Sequence, residues 1–132
     1  MKKFTGLLLA FLAIAFIFGC KQGSDGTNSS IVAVYEFSEM GGSGDTLLYR
    51  LTFKTDNTCI NENYLNDTLQ HSTMATYTGN PLKDGELVEI GLDGITYIKA
   101  KVIGETLKVY ADENNDGIIN LDNELQMTLI RK

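Results

Sequence analysis

Leu47-Leu-Tyr-Arg-Leu-Thr-Phe-Lys-Thr-Asp-Asn-Thr58 decides the fold. Leu47, Tyr49, Leu51 and Phe53 alternate with a face that includes Arg50, Thr52 and Lys54, which is the period-two pattern of a strand with one side in a core and the other in water. Thr55-Asp56-Asn57 then supplies a turn before the next run. Working outward, the same alternation recurs in Ile31/Ala33/Tyr35/Phe37, Ile98/Ala100/Val102, Leu107/Val109 and Leu125/Met127/Leu129, which are the expected core. No stretch of ten or more residues from Ile31 onward holds a helical apolar period, so the domain reads as all-β.

Eight strands are expected: Ile31 to Ser38, Leu47 to Lys54, Thr58 to Leu65, Gln70 to Thr78, Glu86 to Ile90, Ile95 to Ile103, Thr106 to Ala111 and Leu125 to Arg131. Turn formers at Asp84-Gly85, Asp93-Gly94 and Gly104-Glu105 join strands, and Gly79-Asn80-Pro81 ends one. Short links make sequence neighbours spatial neighbours. Eight antiparallel strands in such a meander remove their open edges by closing into an up-and-down barrel, with a two-sheet β-sandwich as the alternative. Leu51-Thr-Phe-Lys-Thr-Asp-Asn-Thr58, Ala75-Thr-Tyr-Thr-Gly79 and Gly104-Glu-Thr-Leu-Lys-Val109 resemble the strand and hairpin signatures of small bacterial lipoproteins with lipocalin-like barrels. The Gly-x-Trp signature of true lipocalins is missing, because the chain has no Trp.

The amino terminus reads as an export signal. Met1-Lys2-Lys3 is a positive n-region, and Leu7 to Phe18 is an uncharged apolar run too short for a bilayer span of about 20 residues. Ile17-Phe18-Gly19-Cys20 resembles the lipobox of bacterial lipoproteins, with Phe18 as in the relaxed spirochaete type. The resemblance implies cleavage after residue 19 and lipidation of Cys20, several acyl chains holding the protein on a membrane without spanning it. Residues 21–30 hold no apolar side chain and read as a flexible tether, so the expected domains are a signal peptide (1–19), a lipidated Cys and tether (20–30) and one barrel (31–132). Lys21 stands where many lipoproteins kept in the inner membrane carry Asp, which favours an outer-membrane location in the cell envelope.

The 132 residues carry 11 basic and 17 acidic side chains, a net charge of −6. Removing Lys2 and Lys3 with the leader leaves 9 basic against 17 acidic residues, or −8. So acidic a domain lacks the clustered Lys and Arg that phosphate neutralisation needs, which argues against nucleic acid as a partner.

Five of those acids lie within Asp112-Glu-Asn-Asn-Asp-Gly-Ile-Ile-Asn-Leu-Asp-Asn-Glu124, which has no base. Asp112, Asn114 and Asp116 fall at loop positions 1, 3 and 5, before Gly117, and Ile119 is the apolar residue at position 8. This resembles the first half of an EF-hand or dockerin calcium loop. The resemblance implies that Ca²⁺ takes oxygens from those three side chains, from the Ile118 carbonyl and from Asn120 directly or through water. Position 12 is Asn123, so Asp122 and Glu124 are the candidate closing carboxylates. The flanks are strands and the loop is single, so a weakly bound structural ion is expected, with a Kd of about 10⁻⁴–10⁻³ M.

Other residues select no chemistry. His71 has no second His or neighbouring Cys for a zinc site and is expected to face the interior or the rim. Ser72 or Ser38 could be written into a triad with it, without the elbow motif that such a nucleophile requires. Cys59 is expected to be a buried free thiol and Gly41-Gly-Ser-Gly44 a flexible connection, and the six Tyr are expected to pack within half-buried strands rather than to line a sugar, peptide or protein site. The functional expectation is therefore a membrane-anchored, non-enzymatic binding module for a protein or a small apolar ligand. Its alternatives are a surface protein that contacts host molecules or cells around a packed, inert barrel, and a hydrolase of envelope polymers.

Overall fold

The computed structural model describes residues 29–132. The expected signal peptide, the expected lipidation site Cys20 and the expected tether as far as residue 28 lie outside the described residues.

The strands are β1 (Ile31–Met40), β2 (Thr46–Lys54), β3 (Thr58–Leu65), β4 (Thr68–Thr78), β5 (Leu87–Leu92), β6 (Ile95–Ile103), β7 (Thr106–Ala111) and β8 (Leu125–Arg131). Each pairs antiparallel with the next, and β8 returns to β1 to close the barrel. Closure excludes the sandwich. Because successive links alternate ends, residues 41–45, 66–67, 93–94 and 112–124 share one end, here the rim. Residues 55–57, 79–86 and 104–105 share the other, the base, with both ends of the described chain. The chain joins the base at Ser30, which exchanges main-chain and side-chain hydrogen bonds with Thr55.

Two tight turns depend on left-handed backbone. Asp93 and Gly94 have φ of 52° and 81°, the double positive φ of a type I′ hairpin. Asn66 and Asp67, at 49° and 65°, form a second that the sequence did not announce, because it lacks the usual Gly. The Gly41–Gly44 segment, expected to be flexible, is a hydrogen-bonded turn: Gly41 N donates to Asp45 O (2.7 Å) and Gly44 N to Gly41 O (3.0 Å).

The interior holds most of the expected core: Ala33, Tyr35, Tyr49, Leu51, Phe53, Ile98, Ala100, Val102, Leu107, Val109, Met127 and Leu129, joined by Cys59, Tyr77, Val88 and Ile90. Ile31 and Leu125 are corrections to it. They are 63% and 47% exposed, because the register shifts between Ile31 and Ala33 and again opposite Val109/Tyr110. An extra residue in one strand flips every side chain beyond it to the other face. Ile31 thus lies opposite Lys54 and Leu125 opposite Tyr110.

Aromatic rings plug the base. Phe53 meets Tyr35 edge-on at 6.1 Å and Tyr77 at 5.0 Å. Both hydroxyls are satisfied, Tyr35 donating to Pro81 O (2.6 Å) and Tyr77 to Lys54 O (2.7 Å). Burial pushes the Tyr35, Tyr49 and Tyr77 hydroxyls and the Cys59 thiol above their ordinary ranges, Tyr49 and Cys59 furthest. The unfolded chain releases these protons from about pH 8.5 to 10 and the barrel retains them, so stability falls as pH rises through that window. Denaturant midpoints measured from neutral to alkaline pH are expected to drop there, with Cys59 unreactive to thiol reagents until the barrel unfolds.

Candidate functional site

The rim carries the polar features. Its β1–β2 and β3–β4 turns are tied together by Asp45, whose carboxylate accepts from Asn66 Nδ2 (2.8 Å) and Ser43 Oγ (2.7 Å). Those bonds, Asn66 first, hold the Asp45 carboxyl below the usual carboxylate range. A recess of about 230 Å³ lies beside them, lined by Leu47, Asn63, Leu65, Gln70 and His71 among others. His71 is half-buried, opposite Asn63 in the ladder, and Ser72 is exposed on the same strand. Consecutive strand residues point to opposite faces, so the two do not form a nucleophile–base pair.

The β7–β8 loop, residues 112–124, is held by its own acids. Asp112 accepts from Asp116 N (3.2 Å) and Gly117 N (2.7 Å), Asn114 also accepts from Asp116 N (3.1 Å), and Asp116 accepts from Ile118 N (2.8 Å). Asn115 and Gly117 turn the chain with φ of 59° and 84°. Asp112, Asn114 and Asp116 thus wrap one turn, as their spacing predicts. Asn120 accepts from Asp122 N (2.9 Å), but the Asp122 carboxylate is exposed and bonds to no loop amide. Ile118 is exposed as well.

Glu124 is what the sequence could not rank. Its carboxylate reaches back into the loop, accepting from Glu113 N (3.2 Å) and Asn120 N (2.5 Å), and the residue is only 4% exposed. Among the described residues no Lys or Arg forms an ion pair with it, although a buried carboxylate ordinarily has a cation or a metal beside it. The donor set fits a hard cation by kind: carboxylate and amide oxygens, each with lone pairs beyond those the amides use. Among the described residues no three His, Cys, Asp or Glu side chains converge as a ready-made cluster, so such a site would draw on Asn and main-chain oxygens too.

The outer face of β1–β3 carries a second charged group that is internally balanced. Arg50 Nε donates to Glu36 (2.6 Å), its guanidinium lies 5.1 Å from the centre of the Tyr64 ring, and Tyr64 donates to Glu62 (2.9 Å). Lys132 lies 3.9 Å from Glu36. Paired charges of this kind hold strands in register. A small void of about 30 Å³ lies between β3–β4 and β5–β6 against Asn61, whose Oδ1 is buried without a partner. That volume admits water.

No family model matches the chain, and neither a curated protein nor a solved structure matches it.

Proposed function

We propose that this chain is a lipid-tethered, non-enzymatic module of the cell envelope that binds a protein partner at its rim, on a filled barrel whose β7–β8 loop is braced by Ca²⁺. The packed base carries this reading, closed by Tyr35, Phe53 and Tyr77. Ligand pockets ordinarily reach about 300 Å³ or more, whereas the void beside Asn61 is about 30 Å³ and the recess at the rim about 230 Å³. That favours recognition by the outer surface and loops over carriage of a small apolar ligand. Since the chain joins the barrel at the base, lipid on Cys20 would hold the base toward the membrane and leave the rim facing away. A ten-residue tether reaches about 35 Å when extended. The lipobox and Lys21 support the outer membrane as the anchoring site.

The residues that would hold Ca²⁺ are Asp112, Asn114, Asp116, the Ile118 carbonyl, Asn120 and Glu124, and the bound ion would offset the crowded negative charge. Glu124 is preferred to Asp122 as the closing carboxylate because it reaches back to the amides of Glu113 and Asn120, whereas the Asp122 carboxylate bonds to no loop amide. A native mass spectrum of the full chain, purified in detergent without refolding, is expected to show no co-purifying small molecule and one calcium adduct that Asp112→Ala removes. A stoichiometric apolar passenger would reverse the reading toward a carrier.

A further inference from the structure

β4 is an open edge for half its length. It pairs with β3 from Thr68 to Thr76, but with β5 only through Thr76, Tyr77 and Thr78. The cause is the length of the β5–β6 hairpin: Thr76 lies opposite Gly91, and β5 ends one residue later at Leu92, before the Asp93-Gly94 turn, while β4 runs on to Thr68. A Cβ at Gly91 would overlap the Ile95 carbonyl oxygen, so this approach of backbone to backbone depends on glycine. The hairpin therefore stops short of the rim-side half of β4, and the small void lies beside Thr73, Met74 and Ala75.

The direction of the open groups follows from one bond. Tyr77 N donates to Asn57 O, toward β3. Peptide groups alternate sides along a strand, so Ser72 and Met74 present their N–H and C=O groups to the side where β5 is missing. Neither residue has a ladder partner on that side.

Exposed edges are usually blunted by charge or proline. This one is not. Thr68-Leu-Gln-His-Ser-Thr-Met-Ala-Thr-Tyr-Thr78 has no Pro and no acidic, Lys or Arg side chain, in a chain of net charge −6. Two copies repel one another over most of their acidic surface, and this edge is where they can approach without opposing like charges. Antiparallel pairing of the strand with itself also satisfies two-fold symmetry, each copy giving and receiving the same bonds.

We infer that two copies of this chain associate by antiparallel pairing of their β4 edges around Ser72. Ser72→Pro is the test. Its lost N–H faces away from β3, so the barrel retains its own ladder while the intermolecular one is broken. Sedimentation velocity of the full chain in density-matched detergent is expected to show a reversible monomer–dimer equilibrium, with concentration-dependent protection of the Ser72 and Met74 amides in hydrogen exchange. Ser72→Pro is expected to sediment as a monomer with an unchanged thermal melt. If that variant unfolds, Ser72→Lys decides instead, since its side chain is exposed and sets two ammonium groups against each other across the symmetric pair. A wild type that stays monomeric at every concentration overturns the inference and leaves the edge to a strand of another protein. A dimer that survives in a folded variant overturns it as well.

Discussion

Phe53→Ala will destabilise the barrel by about 3–5 kcal/mol, the range for removing a buried aromatic side chain. The position argues for the upper part of that range. Phe53 is fully buried between Tyr35 and Tyr77, and neither neighbour can fall into the space it leaves, because each is held by its hydroxyl, Tyr35 on Pro81 O and Tyr77 on Lys54 O. A cavity that cannot collapse keeps its full cost. For a domain of this size the loss lowers Tm on the order of 20 °C, measurable by circular dichroism. Phe37→Ala, at a half-buried position, is expected to cost much less. A Phe53→Ala melt within a few degrees of wild type would mean that the base is not packed around this ring.

That result would also bear on what the sequence can reveal. The alternation in Leu47–Phe53 places four side chains inward, and all eight strands were legible from such runs, because a half-buried strand writes its two faces into the sequence. Bulges broke the rule. Ile31 and Leu125 keep the inward parity on paper and face outward in the barrel, since one extra residue after each, Val32 and Gln126, reverses the faces and no local signal marks the insertion. The Asn66-Asp67 hairpin was silent for the same kind of reason, its left-handed residues not being glycine. The open half of β4 was out of reach altogether. It depends on the register that sets Gly91 opposite Thr76, so that the β5–β6 hairpin ends at Leu92 while β4 runs on to Thr68. In the loop, spacing grouped Asp112, Asn114 and Asp116, which need only local turns. That the Glu124 carboxylate folds back onto Glu113 N and Asn120 N, while that of Asp122 does not, is a tertiary fact that spacing alone does not carry.

The calcium reading predicts the second large effect. Ligand that binds only the folded state stabilises by RT ln(1 + [L]/Kd), which is about 2.7 kcal/mol when calcium stands a hundredfold above Kd. For a Kd of about 10⁻⁴–10⁻³ M that concentration is about 10–100 mM, and the Tm of the full chain should rise on the order of 10 °C between EDTA and saturating calcium. Asp112→Ala and Asp116→Ala should each abolish the rise. They should also lower the melt in EDTA, because Asp112 organises the turn through Asp116 N and Gly117 N even without an ion. Asp122→Ala separates a specific site from a diffuse acidic patch. It removes the same charge from the same loop, yet its carboxylate is tied to no amide there, so the calcium response should survive intact. Equal losses from Asp122→Ala and Asp112→Ala would reduce the site to generic screening of crowded charge. A wild-type melt identical in EDTA and in calcium would leave Glu124 as a buried carboxylate satisfied by Glu113 N and Asn120 N alone, and the loop as a self-capped turn.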